Sequence, residues 1–283
     1  MPGVRRIQKY WLSLGMLLAY GAGCLAIPGA RAETLLLATT TSVQDSGLLD
    51  ALLPPFTENT GIRVQTVAVG TGAALRMGAE GNADALLTHA PQAEKNLIAS
   101  GAADQRVEIM ENYFVLASPP QDPAQLHALT DVEEMLRRIV SEESAFVSRA
   151  DDSGTHKKEI ALFAAAGIDP AITWPRLTRT GSGMGLSLQI AGQKQAYILS
   201  DLGTFLAFQA RTGLVPLTGP EASLRNVYSV LRVNPERFPR AHAAQATALI
   251  AYLQEPETRK KIADFGVDQF GRPLFRPLEM PSD

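Results

Sequence analysis

Two periods of apolar residues alternate along the chain. Short unbroken apolar runs at 34–38, 85–87, 145–147 and 197–199 have the length of buried parallel strands. The stretch 62–69 alternates instead, with Ile62, Val64, Val67 and Val69 apolar, and 227–233 reads as a further strand. Residues 107–117 are mostly apolar and extended until Pro119-Pro120-Gln121-Asp122-Pro123 breaks the run. Between these lie stretches of helical spacing. Leu48, Leu49, Leu52, Leu53 and Phe56 form one such face, Ala74, Leu75 and Met77 a second, and Val132, Met135, Leu136 and Ile139 a third. Helices are also expected after Pro91, over 155–166, 183–191 and 202–211, and in a tail from 239 to 265 broken at Pro256. Strands alternating with helices predict parallel sheets and an α/β fold. No internal repeat or low-complexity tract interrupts the pattern.

The polar residues between these elements are not evenly distributed. Strand 34–38 runs into four consecutive hydroxyls, Thr39-Thr40-Thr41-Ser42, and then into the helix carrying Leu48, for which Asp45 or Ser46 is the expected N-cap. Such a junction gathers free backbone N–H groups, the positive end of a helix dipole and several O–H donors. It holds no base, thiol or metal ligand, so it suits an anion that is held without reacting. The same residues would equally form a polar turn that only caps the helix.

A second junction repeats this logic. Strand 145–147 leads into Arg149-Ala150-Asp151-Asp152-Ser153-Gly154-Thr155 and a helix start. Ser153 and Thr155 bring hydroxyls, Gly154 admits close backbone approach, and Arg149 adds a permanent cation whose planar fork fits an oxyanion. Asp151 is read as the group that orients Arg149. A capping turn with a surface ion pair is the plainer alternative. A hydrolase built from Ser153, His156 and Asp151 is disfavoured, because all three lie on one short loop without a Gly-x-Ser-x-Gly elbow. The four histidines show no ligand spacing, which argues against a protein-bound zinc. Gly70-Thr71-Gly72 is too little for a dinucleotide, and no cofactor is expected.

Composition narrows the class. The chain has 283 residues, 46% hydrophobic and 19% charged, enough for one large or two medium domains. Residues 1–32 read as a secretory signal peptide: Arg5, Arg6 and Lys9 precede an apolar run, and Ala30-Arg31-Ala32 offers a cleavage site before Glu33. A lipoprotein anchored at Cys24 is the minor alternative, with Gly21 standing where an apolar residue is usual. Cys24 is the only cysteine, so the mature chain has no disulfide or thiol chemistry. Removing Arg5, Arg6, Lys9 and Arg31 leaves 26 − 4 = 22 basic against 29 acidic residues, a net charge of −7. An exported acidic protein without a further membrane span and without a nucleic-acid partner is expected.

The motifs Ala38-Thr39-Thr40-Thr41-Ser42, Gln44-Asp45-Ser46-Gly47-Leu48-Leu49, Val69-Gly70-Thr71-Gly72 and Phe146-Val147-Ser148-Arg149 through Lys158 carry a resemblance. They resemble the tungstate-binding proteins of bacterial ABC importers, within the type II periplasmic binding proteins for oxyanions. The resemblance implies two α/β lobes, each a mostly parallel sheet flanked by helices, joined by two crossovers that close on a tetrahedral dianion. It implies a first lobe over 33–117, a second over 118–213, and a return to the first over 214–283. It further implies that Thr40, Thr41, Ser42 and Thr71 donate from one lobe, with Arg149, Ser153 and Thr155 opposite and Gly183 and Met184 adding backbone donors. Tungstate is the implied ligand, with molybdate or phosphate as alternatives. A monomer serving a permease and its ATPase in the periplasm, not an enzyme, is the implied assembly. A repurposed sensor or interaction module is the remaining alternative. The chain departs from the family pattern at Ala90, Leu202 and Asn226-Val227-Tyr228-Ser229, where Asp, Arg and a Pro/Gly pair are usual.

Overall fold

The computed structural model describes residues 33–278, so the expected signal peptide and Cys24 lie outside the described residues. The chain opens with β1 (Thr34–Thr40), α1 (Thr41–Asp45), α2 (Leu48–Thr60), β2 (Arg63–Val69) and α3 (Thr71–Ala79). It continues through β3 (Ala85–Thr88), α4 (Pro91–Ala99) and the long strand β4 (Ala103–Ser118). Then come α5 (Val132–Ser141), β5 (Phe146–Ser148), α6 (Gly154–Ala165), β6 (Leu177–Arg179) and α7 (Met184–Lys194). After β7 (Tyr197–Asp201), α8 (Leu202–Thr212) and β8 (Val215–Pro216), strand β9 (Arg225–Val233) returns. The chain closes with α9 (Ala243–Gln254), α10 (Pro256–Asp264), α11 (Val267–Phe270) and β10 (Arg276–Pro277). None of the helices among the described residues is long and apolar enough to cross a membrane.

The strands run in the order β2-β1-β3-β9-β4-β7-β5-β6. Strand β1 pairs parallel with β2 and β3, and β5 pairs parallel with β6 and β7, as the alternation predicts. Strands β4 and β9 run antiparallel to each other and to their outer neighbours β7 and β3. Strand β4 changes sheet along its length: Ala103–Tyr113 lies along β9, whereas Phe114–Ala117 lies along β7. The chain thus forms two parallel-centred sheets joined by the two antiparallel crossing strands.

Each sheet is buried on both faces, and the period of two sorts its side chains. On β1, Leu35 and Leu37 pack with Leu52, Phe56, Leu249 and Ile250 from α2 and α9, while Ala38 faces Ala74 and Leu97 from α3 and α4. On β5, Phe146 joins Leu136, Ile139 and Phe163 from α5 and α6, while Val147 joins Met184, Leu188 and Phe205 from α7 and α8. Helices on both sides of both sheets leave the carboxyl ends of β1, β2, β3, β5 and β6 as the place where irregular backbone collects.

The amino-terminal motif differs from the sequence expectation in one respect. Strand β1 continues through Thr39 and Thr40, and helix begins at once, with Thr40 as the N-cap and its side chain accepting from Val43 N–H. Asp45 and Ser46 end this short helix. Gly47, at φ 76°, takes the left-handed turn that opens α2. At Ala90, the N-cap of α4, Glu94 accepts the Ala90 N–H at 2.8 Å and the Thr88 hydroxyl at 2.7 Å, so a side chain from the first turn holds the helix start.

Helices α7 and α8 cross closely at Gly192, where an added Cβ would sit 2.7 Å from the Thr212 carbonyl oxygen. Backbone cannot yield as a side-chain tip does, so overpacking outweighs the helix propensity that alanine gains. Gly192→Ala is expected to lower unfolding free energy by about 1–2 kcal/mol net, read as a lower urea midpoint at unchanged slope.

Candidate functional site

The carboxyl ends of the two sheets face each other across a small cleft. It is lined by Thr40, Thr41, Ser42, Val69, Gly70, Thr71 and His89 from one sheet and by Arg149, Ser153 and Gly154 from the other, and is closed too tightly to hold a water molecule. Ligand sites at the carboxyl edge of parallel strands follow from the fold, because loops and helix N-termini gather there.

Arg149 is only 3% exposed. Its Nη2 pairs with Asp151 and its Nε donates to the Ser182 carbonyl at 3.3 Å. Asp151 Oδ1 also accepts the Ser153 N–H at 3.2 Å, so one carboxylate holds both the cation and the turn. Ala150 and Asp152 are held at φ 49° and 58°, a left-handed conformation unfavourable for residues with a Cβ. Arg149 and Asp151 nearly cancel in charge, so attraction for an anion falls to oriented dipoles and hydroxyls.

The hydroxyls are arranged in small networks. Ser153 caps α6, its Oγ accepting the His156 N–H at 3.2 Å, which leaves the Ser153 O–H to donate elsewhere. Thr71 Oγ1 accepts the Gly154 N–H at 2.8 Å across the cleft, a direct bond between the starts of α3 and α6. Thr40 Oγ1 and Ser42 Oγ lie 3.2 Å apart, and Ser42 Oγ lies 3.3 Å from His89 Nε2. Thr155 is fully buried, and its hydroxyl has no hydrogen-bond partner among the described residues.

Six of the expected site residues therefore meet in the cleft: Thr40, Thr41, Ser42, Thr71, Arg149 and Ser153. Thr155 sits beside it on α6 without lining it. Gly183 and Met184 are not brought into it. The Met184 side chain packs with Leu188 and Phe205 in the core, which leaves the expected backbone donors of Gly183 and Met184 at the start of α7, next to the Ser182 carbonyl that accepts from Arg149. His89 was missed as a site residue. The available signal was its position one residue past β3, the parallel neighbour of β1. The Ser153, His156 and Asp151 set does not form a triad: His156 Nδ1 accepts the Asp152 N–H, and Asp151 is committed to Arg149. No group of three or more metal-ligating side chains occurs among the described residues.

Two buried titratable groups flank the cleft. Burial lowers the His89 imidazole from 6.5 to about 4, against the opposing pull of Asp201 and the Asn226 hydrogen bond, so the ring is neutral near pH 7. Glu159, one turn into α6, accepts from the Ser148 hydroxyl. Burial raises its carboxyl from 4.5 to about 7, only partly offset by the bonds from Ser148 and the Arg149 backbone.

The PBP superfamily domain matches residues 28–257. The chain belongs to this superfamily of periplasmic binding proteins. Tungstate-binding protein TupA of Peptoclostridium acidaminophilum is 38% identical over 284 residues, covering 97% of this chain and 99% of that protein. The crystal structure of the tungstate ABC transporter from Geobacter sulfurreducens is 40% identical and superposes with a TM-score of 0.75, covering 82% of this chain and 99% of that one. TupA from Desulfovibrio alaskensis G20 is 37% identical with a TM-score of 0.74, covering 88% and 100%. This periplasmic binding protein thus shares with them its two-sheet α/β architecture.

The pH dependence of its stability follows from the two buried groups. Glu159 holds its proton in the folded chain, so its contribution is lost as pH rises from 4.5 through about 7. His89 acts in the opposite sense, losing stability as pH falls from 6.5 towards 4. Glu159→Gln removes the first slope. Relative to the parent, the variant should gain up to about 3 kcal/mol between pH 4.5 and 7, measured by urea unfolding across that window.

Proposed function

We propose that this periplasmic binding protein captures a tetrahedral, fully ionised oxyanion, tungstate ahead of molybdate, and delivers it to an ABC permease and its ATPase. The observation that carries the reading is the convergence of hydroxyls from both sheets on one buried, carboxylate-braced arginine in a narrow cleft. The names of the similar proteins favour tungstate, and an extracytoplasmic site of action accords with the signal peptide expected over 1–32.

In this reading Thr40, Thr41, Ser42 and Thr71 donate from the sheet of β1, and Arg149, Ser153 and Thr155 from the sheet of β5. The unpartnered Thr155 hydroxyl supports its inclusion, since a buried O–H without an acceptor is costly unless a ligand supplies one. We place the division between lobes where β4 changes sheet, with the return along β9. Release of the mature chain at Glu33 and action as a monomer complete the proposal.

Binding does not imply turnover. Ser42, His89 and Asn226 are in hydrogen-bond sequence, as in an acyl-transfer site. A base lowered to about 4 accepts a proton poorly near neutral pH.

Titration calorimetry with tungstate, molybdate, sulfate and phosphate tests the reading. Arg149→Ala should weaken tungstate by about ten- to hundredfold, the value of one charge-assisted contact. Arg149→Lys, which keeps a cation for Asp151 but loses the fork, should fall between. Phosphate retains a proton near neutral pH and should compete poorly. Parent-like tungstate affinity in a folded Arg149→Ala protein would remove Arg149 from the site. Phosphate matching tungstate would replace the ligand assigned here.

A further inference from the structure

His89 is 5% exposed and joins the cleft to the crossing strands. Its ring lies 4.9 Å from the Tyr228 ring, and an added Cβ on Gly154 would come within 2.5 Å of it, so its position is fixed on both sides. Nε2 faces Ser42 Oγ at 3.3 Å, and Nδ1 faces Asn226 Oδ1 at 3.0 Å. Asn226 Nδ2 donates to Asn112 Oδ1 at 2.8 Å and to Tyr228 Oη at 2.9 Å. With the amides set this way, Nδ1 carries the proton, and Nε2 offers a bare lone pair that accepts a hydrogen bond from the Ser42 hydroxyl. Asn112 Nδ2 is then left buried without a hydrogen bond.

Turning both amides by half a turn reverses every bond in the chain while moving no heavy atom appreciably. Asn112 Nδ2 then donates to Asn226 Oδ1, and Asn226 Nδ2 donates to His89 Nδ1. His89 Nε2–H donates to Ser42 Oγ, and the Ser42 hydroxyl proton is freed towards the cleft. The unpaired buried N–H becomes an unpaired carbonyl oxygen, which is the less costly orphan. An anion carrying no proton needs only donors, so it favours this second polarity. A protonated anion needs an acceptor and favours the first.

We infer that His89 is a specificity-determining positioning residue: its Nε2–H tautomer, held by Asn226 and Asn112, turns the Ser42 hydroxyl towards an unprotonated oxyanion. The inference rests on the proposed anion site and adds a residue to it. The charges facing the ring are Asp201 and Arg149, of opposite sign. Burial keeps the ring neutral, so the choice concerns which nitrogen bears the proton and leaves the site's charge unchanged.

Nitrogen-15 spectra of histidine-labelled mature protein at neutral pH, saturated with tungstate, test this directly. The His89 signals are identified by their loss in His89→Gln. The expected result is a proton on Nε2 and a bare Nδ1. A proton on Nδ1, or on both nitrogens, would overturn the inference. Calorimetry supplies the second arm. His89→Phe keeps an aromatic ring but has no donor, and should weaken tungstate by about tenfold or more. His89→Gln, whose amide can donate to Ser42, should recover most of that loss. Equal losses in Phe and Gln variants, with the Arg149→Ala effect intact, would sink the role of His89 and leave the anion site standing. Tungstate affinity unchanged in His89→Phe and Arg149→Ala alike would sink both. Should His89→Phe fail to fold, the spectrum of the parent protein decides the question.

Discussion

A guanidinium buried as deeply as that of Arg149 would cost several kcal/mol if left unpaired. Asp151 meets that cost, and much of the local structure follows from holding the two together. The loop folds back tightly enough to put Ala150 and Asp152 in left-handed backbone, Ser182 is drawn in by its carbonyl, and Ser153 is fixed at the head of α6. Since Asp151 largely cancels Arg149, the arginine contributes directional donors more than net charge. The remaining attraction is spread over hydroxyls and strand-end amides, which can select by shape in a way that a bare cation cannot.

The same division of labour reaches the crossing strands. Glu111 on β4 is fully buried and pairs with Arg225 on β9 and with Arg276 on β10, just before β4 changes sheet. One register position on, Asn112 and Asn226 meet, and Asn226 reaches His89. The region that would bend if the sheets moved apart is thereby in hydrogen-bond contact with the cleft. Thr71 and Gly154 close the circuit on the far side. A side chain altered at Asn226 would therefore change both the orientation of a cleft residue and the pairing of the two crossing strands.

Much of this was legible along the chain, and the reason is range. Strand, hydroxyl run and helix start at Thr39–Ser42, and strand, arginine and glycine turn at Arg149–Thr155, are contiguous, so their chemistry can be read from neighbouring residues. The sheet pattern was legible because four short apolar runs admit little but buried strands. What was not legible depends on partners far away in sequence. His89 and Asn226 are 137 residues apart, and neither spacing nor composition connects them. The short helix α1 capped by Thr40 was not legible because the strand extends two residues further than its apolar run. Pairing of Thr39 and Thr40 with Ala68 and Val69 explains that extension, and a single strand's sequence does not display its neighbour's length.

The account stands on one location: an oxyanion held between the start of α1 and Arg149. Crystals of the mature protein grown with tungstate, with data collected on either side of the tungsten absorption edge, would place the metal without reference to any chemical argument. The expected result is a single strong anomalous peak within hydrogen-bonding reach, through the oxygens, of Ser42, Thr71, Arg149 and Ser153. A peak elsewhere on the protein, with the cleft showing none at full occupancy of the bound ion, would contradict it.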